Sequence, residues 1–399
     1  MTITYRDVFR VTEFRAVFTN HALGVAANTM QMLGLSALVY ARTGSPLLSA
    51  IAYLAGFLPH AIGGLSLLSF ADRLPPRALL VGWSLAGAAV ACAIAPGQLP
   101  VWAALALVVA VGITTPVAEA GKLALLADVL PDNAYVLARS TLNAAVGVMQ
   151  IVGFAVGGSL LALISPSGTL WCTALLYVAG ALVLRLRLAA RPARTAGRAS
   201  VATTWQGTRA LLAVPAIRAL LLAQWLPSGL IVGVEALFVS YAGSSAGALL
   251  VAAAAGMLAG DVVVGRVLTP RGRALAMMPL MVLLAVPYLV FALTPTVAMA
   301  SALAAVASFG YGHHLALQER YLAAVPEEAR GQAFGLANSG MMTTQGLAAT
   351  GLGVVAQQAG PSGAIALGAA VALVAGLVLA PFLRRRSAAG LDCPPIGGG

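Results

Sequence analysis

Charged and titratable side chains are costly inside long apolar runs, and this chain places several there. An ionisable group at the centre of a membrane helix costs about 2.5–3.5 kcal/mol on insertion scales, so each one invites a functional reading. Glu235 lies in the run 214–242, whose only cation is Arg218. A carboxylate without a counter-ion can carry a proton through a dry region and release it where water enters, so Glu235 is the first proton-coupling candidate, with Glu119 and His314 beside it. Asp261 stands in GMLAGDVVVGR and is expected to pair with nearby Arg266. Lys122, Glu319 and Arg320 lie near the ends of their runs and are expected to snorkel to the interface. His60 follows Pro59 and is expected to bond a backbone carbonyl that the proline frees, and His313 to pack between helices. No nucleophile elbow, phosphate-binding loop or metal-ligand spacing is present, so neither an enzyme nor a metal or other cofactor is expected. Cys92, Cys172 and Cys393 form no paired framework.

These groups need elements that hold them in lipid. Of 399 residues, 60% are hydrophobic and 9% charged, and the mean hydropathy is +0.93. Soluble domains carry about 25% charged residues, so an integral membrane protein is the class left. About 20 apolar residues cross a bilayer as a helix. Twelve runs qualify: 16–40, 46–70, 78–96, 99–127, 138–164, 168–187, 214–242, 245–268, 274–293, 296–323, 332–358 and 362–383. They are too long and too evenly apolar for alternating barrel strands, so the fold class is all-α. The first fifteen residues mix acids and arginines and lead to no cleavage site, so the first run is expected to remain as an anchor.

The loops alternate in character. ARTGS, APGQLP, SPSG, AGSS, TPT and QQAGPSG are short and nearly uncharged; the others hold the arginines. With the N-terminus inside, Arg42 alone of the 23 basic residues lies outside, which is the positive-inside pattern. The net charge of +11 is then a topology signal and a contact for anionic membrane lipid, not a nucleic-acid footprint, since no basic stripe carries interleaved aromatics. Both termini are expected in the cytoplasm of a cell membrane, bacterial by its preference for arginine. Residues 1–188 and 211–386 read as two six-helix bundles, 189–210 as a linker with a short interfacial helix near 205–212, and 387–399 as a disordered tail.

The bundles are related. LPDNAYVLARSTLNAAVGVMQIVGFAVGGSLLALISPSG aligns without gaps on VPEEARGQAFGLANSGMMTTQGLAATGLGVVAQQAGPSG at an offset of 195, pairing Asn143 with Asn338, Gln150 with Gln345 and Gly158 with Gly353. Parallel six-helix repeats are a transporter architecture. Between the second and third runs stands SFADRLPPR (69–77). It resembles the signature loop of the major facilitator superfamily, G-x-L-A-D-R-x-G-R-R: Ala71, Asp72, Arg73 and Arg77 match, while Leu68, Pro75 and Pro76 depart from it. GRVLTPRGR repeats it in the second half through Gly265, Gly272 and Arg273, with Thr269 in the acid's place. Gly153-Phe154-Ala155-Val156-Gly157-Gly158 resembles that superfamily's exporter motif G-P-x-x-G-G without its proline; Gly153 and Gly157 also make a GxxxG packing face. The Asp-Arg-Leu-Pro form is most similar to the macrolide and siderophore exporters of the superfamily.

The resemblance implies two pseudo-symmetric halves that rock about a central cavity lined by the first, fourth, seventh and tenth spans. Polar stripes fall on those spans: Asn20, Asn28 and Gln31 with His21 beside them; Thr115 with Glu119; Gln224, Ser228 and Glu235; Tyr311, His314 and Gln318. Asp72, Arg73, Arg77, Asp261, Arg266 and Arg273 become a conformational latch. The expected function is proton-coupled efflux of an amphiphilic or hydrophobic small molecule by a monomer. The alternatives are a facilitator or importer of a polar metabolite and a transporter-like sensor without flux.

Overall fold

A computed structural model describes residues 4–57, 59–67, 70–130, 132–193, 201–326 and 330–384. The described residues are helical almost throughout. Among the described residues, eight continuous stretches are long and apolar enough to cross a bilayer. Two of these, Pro215–Arg266 and Ala333–Leu383, each contain two spans, and the interrupted segments 46–66 and 297–324 complete the twelve.

Local chemistry sets the ends. A hydroxyl residue followed by proline starts several helices: Ser45 before Pro46–Leu54, Ser165 before Pro166–Arg187 and Thr269 before Pro270–Leu289. In each, the hydroxyl accepts from a backbone N–H of the first turn, and the proline fills a position that has no helical N–H bond to lose. Gly44, at φ 62°, ends the first span Thr12–Thr43; Gly360, at φ 75°, breaks Arg330–Arg384 into the eleventh and twelfth spans. The second span is broken into Pro46–Leu54 and His60–Ser66 around Pro59, and the tenth into Val297–Phe309 and His313–Ala324 around a 3-10 turn, Gly310–Gly312. The helix Val201–Ala213 starts inside the expected linker 189–210 and runs across its expected end, over the segment 205–212 where a short helix was expected. The tail 387–399 lies outside the described residues.

The two ends of the molecule differ. Around the short uncharged loops, one apolar core contains both halves: Leu33, Tyr53, Leu54, Phe154 and Leu161 from the first, Ile231, Phe238, Leu249, Phe291 and Ile365 from the second. Around the arginine-rich loops the apolar clusters are separate, one in the first half about Phe14, Leu125 and Leu184, and two in the second about Leu221 and Leu317. Helix Asp132–Leu163 crosses Ala246–Arg266, and Pro46–Leu54 crosses Arg330–Arg384. These two crossings are repeat-related. A Cβ on Gly158 would lie 2.8 Å from Cα of Gly247, and one on the equivalent Gly353 would lie 2.8 Å from Cα of Leu47. At the arginine-rich end the halves also touch through Arg139, whose guanidinium lies 5.6 Å from the ring centroid of Phe334. On the same side of the seam Gly64 closely faces Ser339. Within the first half, Glu13 at the start of the first span takes two hydrogen bonds from Arg191, of 2.8 and 2.7 Å, and one from the Ala189 amide, so the linker begins tied to the bundle.

Candidate functional site

A cavity of about 180 Å³ lies among the helices of the first half. Asn20, His21, Asn28 and Gln31 of the first span face it, and so do Thr115, Glu119 and Lys122 of the fourth, Val101–Val129. Spacings of three, four and seven residues put each set on one helical face, as the sequence predicts. The rest of the wall is aromatic and aliphatic, with Phe57, Trp83 and Tyr177 the largest groups. Trp83 and Tyr177 meet edge to face at 6.0 Å, and Trp83 Nε1 donates to Thr115 Oγ1 at 3.3 Å. Asn20 Nδ2 donates to Ser84 Oγ at 3.0 Å, which fixes its amide.

Lys122 corrects an expectation. It does not snorkel: its side chain is 7% exposed. Its ammonium lies 2.5 Å from Glu119 Oε1 and 2.9 Å from His21 Nδ1. Lysine has donors only, so Nδ1 accepts and His21 is a neutral imidazole. The reason is local: a carboxylate one turn away and an imidazole across the cavity offer partners in place. The Glu–Lys spacing of three residues was the available signal. Glu119 keeps 47% of its side chain exposed although it lies deep in the protein, so that exposure is to the cavity. His60 bonds the Gly56 carbonyl through Nδ1 at 2.8 Å, as expected, and also lines the cavity. Gln150, Trp83 and Tyr177 are lining residues that the sequence reading missed; they lie on the fifth, third and sixth spans, outside the four searched.

The second-half candidates gather elsewhere; every described residue lining this cavity belongs to the first half. Glu235, expected well inside its run, is the last residue of helix Pro215–Glu235, just before a break. Ser308 Oγ donates to its Oε1 at 3.4 Å, and the Tyr288 hydroxyl lies 3.5 Å from Ser308. Its chain neighbours Val234, Ala236 and Leu237 belong to the apolar core that also holds Tyr53 and Leu54 of the first half. Glu235 therefore stands at the seam between halves, beside the shared apolar core. Ser228 and Tyr311 are buried and Gln224 and Gln318 half-buried. Asp261 does not pair with Arg266, which is exposed; its Oδ1 lies 3.6 Å from His314 Nδ1, since the imidazole of the neighbouring tenth span is nearer than a cation one turn along its own helix toward the surface. His314 Nδ1 also lies 2.7 Å from the Tyr311 carbonyl. His313 is fully buried against the Gly310 carbonyl at 2.8 Å, packed as expected.

Of the latch residues, the Asp72 side chain lies outside those described, and Arg73 is half-buried. Arg77 donates to the Arg185 carbonyl at 2.6 Å and so clasps the end of the sixth span. Arg273 reaches Glu319 of the tenth span at 2.6 Å and the Leu268 carbonyl at 2.9 Å. Glu319 was expected to snorkel; it supplies the acid that Thr269 does not, because Thr269 caps the ninth span instead. Gly153 and Gly157 face Thr29 and Met30 at close range, so the fifth span lies tight on the first, and Gly158 turns to the eighth.

A sequence profile of the Major Facilitator Superfamily matches residues 17–318. The chain belongs to the Major Facilitator Superfamily. It is thus a transporter and not an enzyme, and it works by alternating access. No curated protein matches the chain in sequence. Similar solved structures include a bacterial homologue of the human lysosomal transporter Spinster, in an inward-facing and unoccupied conformation. It shares 16% identity at a TM-score of 0.72, covering 94% of this chain and 96% of that one. A POT family transporter in complex with 5-aminolevulinic acid shares 9% identity at a TM-score of 0.73, covering 93% and 96%. At such identities the likeness is one of fold, and it extends over the whole superfamily architecture of this chain.

Proposed function

We propose that this superfamily member is a proton-coupled exporter of a small amphiphilic molecule across a cell membrane, acting as a monomer. The single observation that carries the reading is the cavity of the first half, where a Glu119–Lys122–His21 cluster meets a wall of aromatic and aliphatic side chains. One surface there is polar and ionisable, the other apolar, which suits an amphiphile. Its size narrows the class. Pockets for drug-sized ligands run to about 300–1,000 Å³, and the observed 180 Å³ is smaller. A compact ligand fits as the halves stand, whereas a macrolide-sized one needs them to part.

Glu235 is the proposed coupling residue. It sits where the halves meet, so a change in its charge bears on their contact; Glu119 and His314 are the secondary candidates. The cytoplasmic end in this proposal is the arginine-rich one. Separation there breaks thin polar contacts, whereas separation at the other end exposes a continuous apolar core.

The test is flux in reconstituted vesicles with an imposed pH gradient and a panel of small amphiphiles. Accumulation that follows the gradient and collapses with a protonophore supports the proposal. Downhill flux insensitive to pH makes the chain a facilitator, and binding without flux makes it a sensor.

A further inference from the structure

The Glu119–Lys122 pair is asymmetric in what it presents. The Lys122 side chain is 7% exposed and its ammonium is turned back between Glu119 and the neutral imidazole of His21; the Glu119 side chain is 47% exposed. A ligand entering the cavity therefore meets the anion, with the cation behind it. The groups around that carboxylate do not supply a second positive charge. His60 bonds the Gly56 carbonyl, Thr115 is engaged by Trp83, Thr29 donates to the Val25 carbonyl, and the other polar lining groups are the Tyr177 hydroxyl and the amides of Asn20, Asn28, Gln31 and Gln150. Trp83, Tyr177 and Phe57 line the same space, Tyr177 packed edge to face with Trp83. Aromatic rings attract cations through their faces, and a carboxylate takes a charge-assisted hydrogen bond from an ammonium N–H.

We propose that the cavity recognises an organic cation: a compact amphiphile with a protonated amine on Glu119 and its apolar body along Trp83, Tyr177 and Phe57. This rests on the reading of the cavity as the transport site and names its substrate class. Lys122 acts as a tethered stand-in. Its ammonium occupies one carboxylate oxygen of Glu119 before the ligand's ammonium takes the other, so the site is never left as an unpaired anion. A ligand anion is disfavoured, because it would face the carboxylate while the lysine is held away. The volume of about 180 Å³ admits an amine with a short apolar body in this conformation.

The experiment uses the full chain in nanodiscs and three probes that share one short aromatic body and end in an ammonium, a hydroxyl or a carboxylate. Binding is read by tryptophan fluorescence and by the shift in thermal midpoint, and flux of the same probes is read separately in vesicles. The ammonium probe is expected to bind at least tenfold more tightly than the hydroxyl probe, with the carboxylate probe weakest. E119Q should erase the difference between ammonium and hydroxyl, whereas E119D should retain part of it. Should E119Q fail to fold, Trp83→Leu serves instead, and it should lower ammonium affinity more than hydroxyl affinity. Equal binding of the three probes, preference for the carboxylate, or no binding by any of them overturns the cation assignment. Ammonium binding without flux of any probe leaves the assignment standing and overturns the transport reading; pH-driven flux of the hydroxyl or carboxylate probe with no ammonium preference does the reverse.

Discussion

At the scale of single residues, the consequential pairing is Lys122 with Glu119. Removing one partner of a buried ion pair leaves the other uncompensated and costs about 3–5 kcal/mol when both are fully buried. Here the carboxylate is open to the cavity, so screening reduces the penalty. Lys122→Met alone is expected to lower the thermal midpoint in detergent more than Lys122→Met combined with Glu119→Gln. A double variant whose loss of stability equals the sum of the two single losses would show that the pair is not energetically coupled. Glu235 gives a second prediction. Glu235→Gln mimics the protonated side chain and should abolish pH-driven accumulation while sparing exchange of substrate down its own gradient. If the variant still concentrates substrate as wild type does, coupling resides elsewhere, with Glu119 and His314 next to test. These sites were legible to different degrees. Asn20, Asn28, Gln31, Thr115 and Glu119 share helical faces, and helical period is readable. Lys122 was misread because distance from the end of a run says nothing of which neighbour waits across a cavity. For Glu235 the apolar run was legible, but the break just beyond it has no proline or glycine to announce it: the sequence continues Ala236-Leu237.

At the scale of elements, the twelve runs and the observed spans agree closely, because length and apolar character are what a bilayer demands of a helix. Interruptions within spans were less visible. Pro59 was a signal for the break in the second, and Gly310-Tyr311-Gly312 for the tenth, yet neither motif states that a helix will actually yield there. The exporter-like glycines were read as a packing surface, and they lie where backbones come close. Gly158→Leu should therefore push the fifth span off the eighth. Overpacking of this kind typically costs about 1–3 kcal/mol, read as a lower thermal midpoint. Gly351→Ala is the control: no atom lies within 4 Å of its added Cβ, and alanine is the better helix former by up to about 1 kcal/mol. Equal effects of the two substitutions would mean that the Gly158 contact is not tight in solution.

At the scale of the whole molecule, the alternation of loop chemistry makes a prediction about sidedness. A cysteine at Ser244 should react with an impermeant reagent applied to intact cells, and one at Ala190 should not; the opposite pattern inverts the molecule in the membrane. The internal repeat was legible in the fifth and eleventh spans as shared asparagine, glutamine and glycine, but which matched positions meet in space was not, since an offset carries no distance. Arg139 and Phe334 differ by the same 195 residues as the rest of the repeat and touch each other. Only a position beside a two-fold axis can meet its own equivalent. In a protein whose halves were identical, whatever stood there would face a copy of itself: arginine would confront arginine and phenylalanine would stack on phenylalanine. A cation over a ring is available only to halves that have diverged within one chain. Duplication followed by drift can thus change a self-repelling or self-adhering contact into a weak, breakable one, and Phe334→Arg would return this chain to the repelling form.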